Sequence, residues 1–289
     1  MTGLPVAPFR LPAAPDHSDG TTLRYGAGAP GIERLEASLR GTAFATHSHD
    51  TYAVGVTLAG VQTFAYRGDH QVGLPGEGHI LHPDEAHDGV PGTEDGFGYR
   101  IVYLSPHLVQ QALGGRPLPF VDDPIVPARR MPAELLDWIT RMDEPLSDVE
   151  AVELTVTLTD LLRALSAPRR PRRRPLPLAQ LARVRDLIAD DPIVRHPAAA
   201  LEAVSGLDRW TVARDFRAAF GTSPTRFRTT RQLDTARALI AAGTPLGETA
   251  ARTGFADQSH LTRLFTRTYG LPPGRWAAST TTSSPHARP

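Results

Sequence analysis

The sequence predicts an α+β chain: an N-terminal antiparallel β-barrel of jelly-roll type, then helices, then an all-helical domain that carries one unit twice. Three observations predict it. Residues 23–104 hold short runs of β-branched and aromatic residues broken by glycine and proline. From about Pro132 the apolar spacing becomes helical. Finally, GLDRWTVARDFRAAFGTSPTRF (Gly206–Phe227) recurs as GFADQSHLTRLFTRTYGLPPGRW (Gly254–Trp276). Gly206, Arg214, Phe216, Gly221, Pro224 and Phe227 fall opposite Gly254, Arg263, Phe265, Gly270, Pro273 and Trp276, with one extra residue in the second copy.

Taken in order, residues 1–22 are rich in Pro, Ala and Gly and are expected to be disordered. The barrel spans 23–130. Its clearest strands are Tyr52–Leu58 and Tyr99–Leu104, with Gly60, Gly68, Gly73, Pro75, Gly76 and Gly78 marking turns. Residues 131–166 form helices. Leu135, Leu136, Ile139 and Met142 share one face, and Val152, Val156, Leu158, Leu161, Leu162 and Leu165 make the next helix apolar. Such faces need burial, which suggests contact with a second copy; packing on their own barrel is the plainer alternative. Residues 167–177 (APRRPRRRPLP) read as an Arg/Pro linker, since proline breaks helices and like charges repel. The helical domain runs from 178 to 278, and 279–289 is a tail expected to be disordered.

Composition excludes several chemistries. Without cysteine there is no disulfide, no cysteine zinc site and no thiol nucleophile. No apolar run approaches the roughly 18 residues of a membrane span, and the start lacks a basic-then-apolar signal, so no membrane role and a cytoplasmic location are expected. Net charge is zero but unevenly spread. Residues 1–168 hold 11 Arg against 22 Asp and Glu, residues 169–174 hold 5 Arg, and residues 175–289 hold 15 Arg against 9 acids. Only the back half therefore suits a polyanion.

Each copy of the repeated unit reads as a helix, a tight glycine turn and a second helix. The first places Ala198–Val204 before the turn at Gly206 and caps the next helix with Asp208; the second places Glu248–Arg252 before Gly254 and caps with Asp257. Val212, Phe216, Leu261, Leu264 and Phe265 face inward. Arg209, Trp210, Ala213 and Arg214 face out in the first unit, and Gln258, Ser259, Thr262 and Arg263 in the second. Two helix-turn-helix units, at about 198–220 and 246–269, each suit a major groove of double-stranded DNA, where Arg pairs with guanine and Gln with adenine. A connecting helix, Thr225–Ala242, would hold both on one face of the duplex.

In residues 178–277 the phrase ARALIAAG…LGETAARTGFADQSHLTRLFTRTYGLPPGRW resembles the DNA-binding domain of the AraC family of transcription regulators. The resemblance implies seven helices, two of them recognition helices in successive major grooves, with DNA often bent. By position it assigns DNA contact to the eight outward residues named above. One departure is Glu202, where the family usually places a small residue. The front half is similar to the cupin-type effector domain of many AraC-family members. This implies a small-molecule effector; the apolar helices at 131–166 point to a homodimer, and RNA polymerase is a possible further partner.

Histidines mark the front half. THSHDTY supplies His47, His49 and Tyr52, and LPGEGHILHPDEAHDG supplies His79, His82 and His87. His47, His49, Tyr52 and His87 are the candidate effector-binding residues, with Gln62, Tyr66 and Arg100 as further members. Two readings stand beside this one: a metal site, weakened because no Glu follows the His pair, and plain structural histidines. No cofactor is expected. No nucleophile elbow or phosphate loop is present, so the chain is not expected to be an enzyme. The alternative function is a cupin-type metal-dependent enzyme with an accessory DNA-binding domain.

Overall fold

The computed structural model describes residues 20–41, 43–167 and 175–281. Residues 1–19 and 282–289 of the expected disordered ends, and the arginine run at 168–174, lie outside the described residues.

The chain begins with strands β1 (Thr22–Tyr25), β2 (Ile32–Leu39), β3 (Phe44–His47), β4 (Tyr52–Gly60), β5 (Gln62–Tyr66), β6 (Asp69–Gly73), β7 (Gly78–Leu81), β8 (His87–Pro91) and β9 (Phe97–Leu104). Helix α1 (Pro106–Leu113), short strand β10 (Ile125–Val126), α2 (Ala133–Thr140) and α3 (Asp148–Leu165) follow. Among the described residues the back domain has seven helices: α4 (Leu178–Asp190), α5 (Ala198–Ser205), α6 (Arg209–Phe220), α7 (Pro224–Ala241), α8 (Leu246–Arg252), α9 (Gln258–Tyr269) and α10 (Pro273–Ser279). A last strand, β11 (Thr280–Thr281), pairs in parallel with β1. Regular structure thus continues past residue 278, the expected end of the helical domain.

The α+β class is as predicted, but the barrel is not closed. The strands form two separate sheets, of order β10-β7-β4-β9-β2-β1-β11 and β3-β8-β5-β6. Closure needs every strand to find two neighbours. Here two-residue strands, β10 and β11, end the large sheet, and β3 and β6 end the small one.

Strands β4 and β9 explain why their sequences read as near-continuous apolar runs. Side chains alternate across a sheet, and both faces of this one are covered. Ala53, Phe97, Tyr99 and Ile101 join a core with Phe44 and Phe64 of the small sheet. Tyr52, Val54, Val56, Val102 and Leu104 join a second core with Val109, Leu135, Trp138, Leu158 and Leu162 of α1–α3. Arg34 of β2 fastens α2 to the sheet. It is buried at 1% exposure and donates to Trp138 O at 3.0 Å, Arg141 O at 2.9 Å and Ala27 O at 2.6 Å. Such a burial is tolerable because the guanidinium donors are met by carbonyls. Helix α3 begins with a capping box, in which Ser147 and Glu150 exchange side-chain and backbone hydrogen bonds.

The two helix-turn-helix units are attached differently. The first has its own core, with Leu181, Val184, Val212, Phe216 and Phe220. The second shares one: Leu233, Ala236, Phe255, Leu261, Phe265 and Trp276 belong to the same cluster as Phe44, Phe64 and Tyr99.

Candidate DNA interface and effector cavity

The recognition helices form as their caps dictate. Asp208 accepts from the backbone N–H groups of Trp210 and Thr211, both at 3.0 Å, and Asp257 from that of His260 at 2.7 Å. Each helix ends on a glycine in the left-handed region, Gly221 (φ 71°) and Gly270 (φ 74°). Arg209, Trp210, Ala213, Arg214, Gln258, Ser259 and Arg263 are exposed, and Thr262 is half-buried. Trp210 is 76% exposed at the start of α6, an unusual setting for the largest apolar side chain. Helix α7 has 18 residues, about 27 Å at 1.5 Å each, somewhat less than the roughly 34 Å between successive major-groove segments.

Within this face the first unit's arginines are held. The Glu202 carboxylate of α5 accepts from the Arg209 backbone N–H at 2.8 Å, its Nε at 3.1 Å and its Nη2 at 3.2 Å. Arg214 Nε donates to Asp215 at 3.0 Å. Hydrogen bonds from Arg209 hold the Glu202 carboxyl below its usual range. Glu202, the departure noted in the sequence, therefore sets the direction of a candidate base reader. Arg263 of the second unit makes no such bond among the described residues. Replacing Glu202 with Ala is expected to blunt sequence preference at the bases facing α6 while tightening binding to random DNA a few-fold, because one negative charge leaves the surface. Anisotropy titrations on selected and random duplexes measure both; a parallel change on the two would remove the orienting role.

The front domain grips both units at matching places. A Cβ on Gly221 would lie 2.6 Å from Pro83, and one on Gly270 2.9 Å from Phe44 and His47. The repeated glycine therefore both ends a helix and admits the neighbouring domain. Strand β3 also caps α9: the N–H groups of Ala45 and Ser48 donate to Gly270 O (2.9 Å) and Arg267 O (3.0 Å). Along α7, Arg226 pairs with Asp84 at 2.9 Å, Arg231 with Asp50 at 3.0 Å and Arg237 with Glu33 at 2.5 Å. Asp50 is 7% exposed, and burial raises its carboxyl to about 6 against the pull of Arg231.

Between the domains lies a cavity of about 400 Å³. The front domain contributes Tyr25, Glu33, His47, His49, Tyr99 and Tyr103; the back domain contributes Phe227, Arg231, Asp234, Arg237, Tyr269 and Trp276. His47 ends β3 and His49 lies two residues beyond it, and both line the cavity. Their ring centroids are 6.4 Å apart, and the His87 ring lies 4.3 Å from His47 and 4.9 Å from His49. Burial lowers the His47 pKa to about 4 and that of His49 to about 3; burial and the other two imidazoles push His87 well below its ordinary value.

Tyr52 is not part of this group. Alternation along β4 turns it to the helix-covered face, where its hydroxyl donates to Pro119 O at 2.8 Å beside a second cavity. The further candidates also lie elsewhere: Gln62 accepts from Thr57, the Tyr66 hydroxyl accepts from the His82 N–H, and Arg100 pairs with Glu36 at 2.6 Å. His82 accepts from the Val121 N–H, and His79 is buried in β7. Among the described residues no group of three or more His, Asp or Glu is placed to hold a metal ion. Sequence reasoning missed the back domain's share of the walls. From α7, read in the sequence only as a connecting helix, Phe227, Thr230, Arg231, Asp234 and Arg237 reach the cavity.

Two family models match the chain: the AraC-like ligand binding domain over residues 29–172 and a helix-turn-helix domain over residues 201–279. The chain belongs to the AraC family. Its ligand-binding domain coincides with the two-sheet front domain and its first helices, and its helix-turn-helix model with α5–α10. This AraC-family chain is thus a DNA-binding transcription regulator whose N-terminal domain senses a small-molecule effector. It is similar to YbfI of Bacillus subtilis, an HTH-type transcriptional regulator, at 23% identity over 75% of this chain and 81% of that one. Its fold is that of ToxT from Vibrio cholerae: the apo form of a ToxT point variant superposes with a TM-score of 0.61 at 10% identity, covering 88% of this chain and all of that one. The unsaturated fatty acid bound form of ToxT gives 0.60 at 10% identity over 86% and 96%. No helix among the described residues is long and apolar enough to cross a membrane.

Proposed function

We propose that this AraC-family regulator takes its effector into the cavity between its domains and changes its DNA affinity from there. The observation that carries the reading is that the cavity's walls come from both domains, while β3, which bears His47, also caps recognition helix α9. An occupant touching His47 and His49 acts on β3, and through it on the end of α9. Effector binding then shifts the population of domain arrangements by as much as its affinity differs between them. ToxT, whose fold this chain shares, binds an unsaturated fatty acid; an organic ligand therefore suits this architecture.

On this reading Arg209, Trp210, Ala213, Arg214, Gln258, Ser259, Thr262 and Arg263 face operator DNA. Val149, Val152 and Val156, 66%, 63% and 45% exposed along α3, form a stripe suited to a second copy of the chain. The regulator works in the cytoplasm, meets RNA polymerase at its promoters and catalyses no reaction.

The test uses the full chain. Duplexes are first selected from a random library, and ligands are then found by thermal shift against a metabolite library. A ligand that raises Tm is expected to change Kd for the selected duplex. His47→Ala is expected to keep the ligand-free Kd while losing both the Tm shift and the Kd change. Ligands that bind tightly and leave Kd untouched would end this account.

A further inference from the structure

The two copies of the repeated unit differ on their outward faces. Matched through Gly221 and Gly270, Trp210 and Ala213 of α6 fall opposite Ser259 and Thr262 of α9. Where the second unit carries hydroxyls, the first carries an indole and a methyl. Trp210 and Ala213 are three residues apart, about 60° around the helix, so they share one face. Trp210 is 76% exposed, and its side chain makes no hydrogen bond or ring contact with another described residue. The inward face of α6 is already filled by Val212, Phe216, Ala219 and Phe220, so the indole is not a core residue out of place. Its location is set by the cap: Asp208 accepts from the Trp210 N–H at 3.0 Å, which holds the residue in the first turn of α6. The N-terminal residues of a recognition helix are the ones that reach base edges.

The polar side chains beside the indole are engaged. Arg209 directs Nε and Nη2 to Glu202, and Arg214 directs Nε to Asp215. The indole has one donor, and the rest of its surface, with the Ala213 methyl, is carbon. In the major groove thymine alone among the four bases presents an apolar group, the methyl on C5; the other edge groups donate or accept hydrogen bonds. An apolar reading face therefore complements a methyl. The methyl of 5-methylcytosine occupies the same place in the groove.

From this asymmetry we infer that the first unit reads methyl groups: Trp210, with Ala213 beside it, packs against the C5 methyl of thymine and takes the same methyl on 5-methylcytosine. The inference rests on α6 facing DNA and adds what is recognised there. The second unit reads by hydrogen bonds, the first by apolar contact.

The test is an anisotropy series on the full chain with one duplex selected from a random library. Each thymine is replaced in turn by uracil, which removes the methyl and keeps every hydrogen-bonding group. At one or two positions the native chain is expected to lose about fourfold in affinity, the worth of one buried methyl, and this dependence is expected to vanish in Trp210→Ala. At those positions 5-methylcytosine is expected to bind about fourfold more tightly than cytosine. Trp210→Phe, which keeps an apolar ring, is expected to retain part of both differences. The exposed site leaves Tm unchanged in either variant. Uracil tolerated at every position by the native chain, 5-methylcytosine bound no better than cytosine, or no position losing its methyl dependence in Trp210→Ala would overturn the inference. A loss in Trp210→Ala that is equal on thymine and uracil duplexes would overturn it too, while keeping α6 on DNA. A Trp210→Ala chain that binds every duplex as the native chain does would count against α6 as a reader altogether.

Discussion

Phe265→Ala is expected to lower the stability of the whole chain by about 3–5 kcal/mol, the range for emptying a buried aromatic site. Phe265 is fully buried, 4.5 Å from the Tyr269 ring and 5.7 Å from that of Trp276. The matching residue of the first unit, Phe216, is equally buried but in a separate core. The two variants should therefore differ in kind. Loss at Phe265 reaches Phe44, Tyr99 and the cavity wall, so both domains lose protection together. Loss at Phe216 stays within α4–α7. Hydrogen exchange along the chain distinguishes them, and equal protection of the front domain in both variants would contradict the shared core.

Arg263→Ala is expected to weaken binding to a selected duplex by about 1–3 kcal/mol and to relax preference at the bases facing α9. Arg263 is exposed on α9 and makes no bond to another described residue. Its reach is therefore unspent, unlike that of Arg209, which Glu202 holds. Titration of the variant on selected and random duplexes over a salt series decides the role. A base contact shows as lost preference. A phosphate contact shows as a uniform loss, with the salt slope reduced by about 0.9.

The helical half was legible because its signals are local. Asp208 and Asp257 cap, Gly221 and Gly270 end helices, and Phe216 and Phe265 face inward, each unit's three signals falling on a single helix and its two ends. The front half was legible as strands but not as two open sheets, because edge pairing depends on partners far along the chain: β11 lies more than 250 residues from β1. Of the candidate effector residues, His47, His49 and His87 meet. Tyr52 fails because its place in β4 fixes its face, and the strand boundary was needed to know which face that is. The walls supplied by Arg231, Arg237 and Tyr269 carry no signal within their own helices; they become visible only when the domains are docked.

The pairing of β11 with β1 has a mechanical consequence. The back domain is tied to the front at its start by the chain itself and at its finish by the strand at Thr280–Thr281. A body fastened at both ends cannot swing out as a flap on one hinge; it can only rock between its moorings until the short strand peels away. A stop codon after Ser279 would release one mooring.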